Sequence, residues 1–228
     1  MNLEQIKTGD NNITIISDAV IESIPKIKVT KSQEINDLIY NCHKELLRIA
    51  KNKNKSWEVA MFIDLLNPNN KYIIKGTING VDMHVSEEVM HLINYNPVAS
   101  VIVLHNHPRN GLFSEQDLNT FCDYNSIYLI TAVCNDGNIH MLRKEKNFNP
   151  FALERYYNEG AMVSEKRALE EIYRKAKKLK LDFNKKEDKE KIAKIKTKPY
   201  YYGMKNVAKH AADIGLTYRC SVKRKGGV

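Results

Sequence analysis

No stretch of the 228 residues approaches the roughly 20 consecutive apolar positions needed to cross a bilayer. Met1 to Asp10 also lack the basic start and apolar run of a secretory leader. These two absences lead us to expect a chain that works in the cytoplasm. Cysteine is scarce as well: Cys42, Cys122, Cys134 and Cys220 lie far apart, with no CxxC spacing. That argues against a disulfide framework and against a cysteine zinc site, and leaves buried or idle thiols as the ordinary reading. No internal repeat is present.

The apolar share of 43% and the charged share of 28% are those of a globular chain with enough material for one or two cored domains. Acidic residues run short in one region only. From Ala161 to Val228 there are 20 Lys and Arg against 8 Asp and Glu, whereas the first 160 residues carry 16 against 19. The net charge of +9 therefore belongs to the tail and says nothing about the chemistry of the first part.

Residues 1–29 read as a weakly structured lead-in with a short apolar run at Ile13 to Ile16. Thr30 followed by Gln33 reads as a capping box, opening a helix to about Ala50 with Ile35, Ile39, Leu46, Leu47 and Ala50 on one face. Lys51 to Lys55 reads as a solvated turn. Strands are expected at Glu58–Leu66, Tyr72–Ile78, Ala99–Leu104, Ile127–Val133 and Ile139–Leu142, separated by Asn, Pro and Gly turns. Ser86 caps an expected helix to Tyr95, and Ser114 begins another to about Asn125. The continuously apolar run Ala99–Leu104 is expected to be buried on both faces. The order predicts a mixed α/β domain over residues 30–146. Residues 147–228 then form a basic, mainly helical extension, with an amphipathic helix over 164–180 (Leu169, Ile172, Tyr173, Ala176 and Leu179 on one side), a Lys-rich stretch from Lys185 to Lys198 and a last small unit with Tyr200, Tyr201 and Tyr202.

The informative stretch is His105-Asn106-His107-Pro108, followed by Ser114-Glu115-Gln116-Asp117. Side chains at i and i+2 of a strand share a side, so two imidazoles at a strand's end can face one ion. Asp117 stands three residues into the next helix, whose first turn can fold back over that strand end. Two imidazoles and one carboxylate make a tetrahedral zinc site with water as the fourth ligand, the open position that catalytic zinc requires. Each part has an ordinary explanation too: a lone His is usually packed or exposed, and Ser114 with Asp117 also reads as a plain capping box. It is the combination at one strand end that points to chemistry.

HxH, a short loop, SxxD and an upstream Glu together resemble the JAMM (MPN+) metalloproteases. The closer likeness is to the RadC-like branch of bacterial JAB domains. There a helix placed like the one near Thr30, a strand opening like Glu58, the Gly76-Thr77 pair and "VIVLHNHP" before SxxD recur in the same order. The likeness covers about residues 30–146. It implies an α/β (α+β) fold, a mixed sheet flanked by helices of JAB/MPN-like (cytidine-deaminase-like) type. It also implies one zinc per chain and hydrolysis of a peptide or isopeptide bond, with a peptide or ubiquitin-like protein as substrate. Six residues separate His107 from Ser114, one fewer than is usual in the family, and Arg109 to Phe113 replace its Ser-Gly and Pro. Residues 1–29 are too short for the helix-hairpin-helix unit usual in RadC proteins, so the DNA-repair association does not transfer.

Zinc lowers the pKa of a bound water to about 7, and a carboxylate must then take the proton and pass it to the leaving amine. The resemblance implies Glu58 for that role, while the residues themselves leave open Asp64 on the same strand face and Glu87 or Glu88. Ser114 would stabilise the oxyanion. The alternative is a catalytically silent JAB-like module that binds a protein partner or nucleic acid through its basic extension, since folds are reused without their chemistry. Clustered Lys and Arg predict at most weak, salt-dependent nucleic-acid binding by that extension. A nuclease or other DNA-acting reading would rest only on the tail and the family label, and Gly226-Gly227 near the end carries no argument.

Overall fold

A computed structural model describes residues 13–195 and 202–221. Met1–Asp10, Tyr200, Tyr201 and Gly226-Gly227 lie outside the described residues. Six strands, β1 (Val59–Asp64), β2 (Lys71–Lys75), β3 (Val101–His107), β4 (Ile127–Cys134), β5 (Ile139–Lys144) and β6 (Leu216–Ser221), form one sheet in the order β2-β1-β3-β4-β5-β6. Only β3 and β4 run parallel; every other neighbouring pair is antiparallel. The parallel pair needs a crossover, supplied by helix α4 (Glu115–Asp123). The fold is thus mixed α/β, a mixed sheet flanked by helices. Strand β3 is covered on both faces, in line with its continuously apolar sequence.

One face of the sheet packs on helix α2 (Gln33–Lys53), whose Ile39, Cys42, Leu46, Leu47 and Ala50 meet Met61, Ile63, Ile102, Leu104 and Leu129. The expected Thr30 cap is corrected to Ser32, whose Oγ accepts from the Ile35 amide at 3.2 Å. Asn36 is the reason: its Oδ1 takes the backbone amides of both Val29 and Thr30 at 2.9 Å and holds Thr30 away from the helix. The helix also runs through most of the expected turn at Lys51–Lys55, as far as Lys53.

The lead-in is corrected more substantially. Residues 13–29 carry helix α1 (Asp18–Ser23), and Ile16, Ile21 and Val29 are each only 1% exposed in the same core as α2. Burying each such side chain stabilises by about 1.5–3 kcal/mol, enough to order a segment with no helical or strand period of its own. Helix α3 (Glu87–Tyr95) starts at the expected Ser86 cap and buries Val89, Leu92 and Ile93.

The chain separates into two compact units, Met1–Lys146 with Leu216–Val228, and Asn147–Gly215. The second holds α5 (Pro150–Lys178), α6 (Lys186–Ala193), α7 (Tyr202–Lys209) and α8 (Ala211–Ile214). Asn149 caps α5 with Pro150 in its first turn, so the helix starts well before residue 164. A Cβ at Gly160 would collide with the Tyr202 carbonyl, which is how closely α5 and α7 approach. The reading of 147–228 as one helical extension does not hold at its end: Leu216–Ser221 return to the first unit as β6, paired with β5. No helix among the described residues is long and apolar enough to cross a membrane.

Candidate metal centre

Strand β3 delivers His105 and His107 from one side of its last residues, and the antiparallel register of β1 sets Ala60 opposite His105. Glu58 lies two residues before Ala60, on the same side of the chain, and so arrives beside the two imidazoles. The first turn of α4 brings Asp117 from above. Ligand atoms of Glu58, His105, His107 and Asp117 all lie within 4.8 Å of one another, a donor set able to hold a metal ion. The Nε2 atoms of His105 and His107 are 2.8 Å apart, and Asp117 places Oδ1 3.3 Å from the first and Oδ2 3.5 Å from the second. Two imidazoles with carboxylates are a donor set that suits zinc.

The shell around the donors fixes their orientation. The carbonyl of Gly111 accepts from His107 Nδ1 at 2.9 Å, which assigns a proton to Nδ1 and makes Nε2 the nitrogen that would bind a metal. Loop 108–113, short as it is, therefore serves this ligand directly. Asp117 Oδ2 accepts from the Ser114 amide at 2.6 Å and from Ser114 Oγ at 2.7 Å, while Ser114 Oγ accepts from the Asp117 amide at 3.2 Å. The capping box and the donor geometry are thus the same set of bonds: the helix start aims the carboxylate. The ring of buried Phe113 lies 6.0 Å from that of His105 and shields it from water.

Electrostatics separate the four groups. Burial, outweighing an opposing effect of the Asp117 charge, lowers the His105 pKa to about 4, so it is neutral at neutral pH, as a ligand must be. Burial also pulls His107 down, but the hydrogen bond and charge of Asp117 outweigh it and raise its pKa. Burial opposes ionisation of Asp117, yet His105 and His107 hold it ionised, well below the usual carboxylate range. Glu58 goes the other way: burial first, with the Asp117 charge adding to it against His107, lifts its pKa to about 7. Two carboxylates a few ångströms apart are thereby driven to different proton affinities, the pattern that divides an acid/base group from a ligand.

A cavity of about 130 Å³ opens beside the donors, with Ala60, Phe62, Val103 and Ile130 in its lining and Ser114 and Thr120 on the α4 side. The other carboxylates considered as proton carriers lie elsewhere. Asp64 shares the strand face of Glu58, but at the far end of β1, where its Oδ1 accepts from the Leu66 amide and Asn96 Nδ2. Glu88 accepts from Ser86 Oγ, and neither it nor Glu87 joins the cluster. No disulfide joins any of the four cysteines, and Cys42 and Cys134 are buried.

Among the buried polar residues that went unread in the sequence are His43, Asn106 and Asn135. Asn106 sat in plain view between the two histidines, whereas Asn135 reads as an ordinary turn residue and His43 as one position of an amphipathic helix. No protein-family model, no curated protein and no solved structure matches the chain.

Proposed function

We propose that the chain is a zinc-dependent hydrolase of the JAMM type, cleaving a peptide or isopeptide bond. The observation that carries this reading is the four-residue donor set itself: two imidazoles and two carboxylates within 4.8 Å, one carboxylate held ionised and the other with its pKa raised to about 7. The HxH and SxxD spacing, with Glu58 reached across an antiparallel pair, supports this reading by its likeness to the JAMM pattern. His105, His107 and Asp117 would hold the metal. When bound, zinc supplies a Lewis acid and lowers the pKa of water to about 7.

Glu58 carries the proton. A group with its pKa near the working pH can accept a proton from water in the cavity and return it to the leaving amine. It makes no bond to Ser114 or to the helix start, so it is free to do both. Ser114 lines the cavity, and its Oγ donates its one proton to Asp117 Oδ2; to stabilise a carbonyl oxygen as it gains charge, that proton would turn from Asp117 to the substrate. The cavity's apolar residues, Ala60, Phe62, Val103 and Ile130, offer a surface for a side chain flanking the scissile bond.

The test pairs metal analysis with peptide cleavage. Protein purified without added zinc should hold about one zinc per chain, the count of the resemblance and of a single donor set. Glu58→Gln should keep that metal and lose about 10²–10⁴-fold in hydrolysis, the usual cost of removing a general base. A chain that takes up no transition metal after zinc dialysis contradicts the reading. Zinc uptake with no cleavage of any peptide mixture would favour the silent JAB-like binding module instead.

A further inference from the structure

We infer that the side-chain amides of Asn106 and Asn135 form a bracket that sets Glu58 against the two imidazoles; this rests on the reading of Glu58 as the proton carrier. The β1–β3 ladder ends at the pair Ala60 and His105, so no strand pairing ties residues 57–59 to β3. Asn106 takes the place of the missing rungs. Its Oδ1 accepts from the Val59 amide at 2.7 Å, and its Nδ2 donates to the Trp57 carbonyl at 3.1 Å. These are the peptide groups on either side of Glu58. Alternation along β3 sends Asn106 to the side opposite its neighbours His105 and His107, so three successive residues carry both imidazoles and the clamp on the carboxylate.

Asn135 orients the clamp. Its Oδ1 accepts the second Nδ2 proton of Asn106 at 2.8 Å, and its own Nδ2 donates to the carbonyls of Thr14 at 2.7 Å and Ser56 at 2.8 Å. Its backbone amide donates to the His107 carbonyl at 3.1 Å. Both amides are 0% exposed, and each has its Nδ2 protons and its Oδ1 engaged. A flip of either amide would set donor against donor in a site closed to water, so one orientation is enforced.

The rest of the segment is held as firmly. The Glu58 amide donates to the Thr77 carbonyl at 3.0 Å, and the Glu58 carbonyl accepts from the Gly76 amide and Asn54 Nδ2, each at 2.8 Å. The turn leading into it has Lys55 at φ 53° and Ser56 at φ 61°, successive non-glycine residues in the left-handed region. Such backbone persists only where its surroundings over-determine it, and it collects at functional sites. Neither Asn106 nor Asn135 lines the cavity, so both are positioning residues.

Asn135→Asp keeps shape and acceptor but removes the donors to Thr14 and Ser56. In the zinc-loaded full chain, assayed on a peptide it cuts from a proteome-derived mixture, N135D should lower kcat by up to about 10²-fold, the effect of an ångström-scale misplacement, with KM and zinc content unchanged. Placed on Glu58→Gln, N135D should lower the residual rate no further, because the group it positions is already gone. An equal drop in both backgrounds overturns the bracket and makes Asn135 a general structural residue. Full activity of Glu58→Gln alone would instead overturn the reading of Glu58, so the two failures are distinct. Amide exchange followed by NMR tests the bracket without any substrate. The Nδ2 protons of Asn106 and Asn135 and the Val59 amide should exchange slowly in the unmutated chain, and N135D should speed Val59 while leaving Phe62 slow. Fast exchange of those Nδ2 protons in the unmutated chain, which needs no variant to fold, refutes the bracket directly.

Discussion

His43 should make the fold acid-sensitive, and its replacement by Gln isolates how much. The imidazole is buried between α2 and the sheet, with Nε2 2.7 Å from Thr131 Oγ1, itself fully buried. Burial first, and the neighbouring His105 second, lower the His43 pKa from its ordinary 6.5 to about 3. The unfolded chain therefore binds a proton at pH 5 that the folded chain refuses. Stability from this residue is fully present above pH 6.5 and is lost as pH falls from there toward 3. From pH 7 to pH 5 the loss covers about 1.5 pH units below the unfolded pKa at about 1.4 kcal/mol each, or about 2 kcal/mol. His43→Gln retains a partner for Thr131 and cannot titrate. Urea unfolding of both proteins across this range, with a chelator present so that metal release does not contribute, should show the unmutated chain losing about 2 kcal/mol more than the variant. His105 and His140, each lowered to about 4, titrate in both proteins and cancel in the difference. Parallel pH profiles would refute the argument, since they would mean that the imidazole accepts a proton where it lies.

Asp117→Ala should lose zinc, measured by elemental analysis, and also about 1 kcal/mol in a melt, because the same carboxylate closes the capping box of α4. Retained zinc would remove Asp117 from the ligand set. His107→Ala should likewise empty the site, and the double change with His105→Ala should leave a weaker but folded chain, since Ile102 and Leu104 pack in the α2 core apart from any metal. Ile21→Ala should cost about 2–5 kcal/mol in urea unfolding, as for a buried aliphatic residue elsewhere in a core. A cost near zero would return residues 13–29 to the status of a lead-in. Weak nucleic-acid binding by the basic region is tested by changing Lys186, Lys189 and Lys191 of α6, with Lys194 just after it, to Gln and following affinity against salt. A truncation near residue 160 would remove β6 as well. An unchanged affinity and salt slope would place any such binding elsewhere.

Local geometry made the grouping of His105, His107 and Asp117 legible in the sequence. Residues i and i+2 of a strand share a side, and a Ser-x-x-Asp helix start points its carboxylate back at the chain that enters it. The central strand, the caps at Ser86 and Ser114 and the mixed α/β class rest on the same short-range rules. What escaped depends on partners far away in the chain. Parity cannot separate Glu58 from Asp64, which share a strand face; the antiparallel register of β1 against β3 sets one beside the imidazoles and the other at the opposite end. The sequence reads Thr30 as the cap, but Asn36 takes up the amides of Val29 and Thr30, and Ser32 caps the helix instead. Residues 13–29 have no period to read, and partners distant in the chain order them: the α2 core, and hydrogen bonds to Ser56, Pro108 and Asn135. Leu216–Ser221 become a strand by completing the edge of β5. Asn106 and Asn135 look like surface polar residues in the sequence, because an amide's role is set by the donors and acceptors that meet it, and these arrive from positions as distant as Thr14 and Ser56.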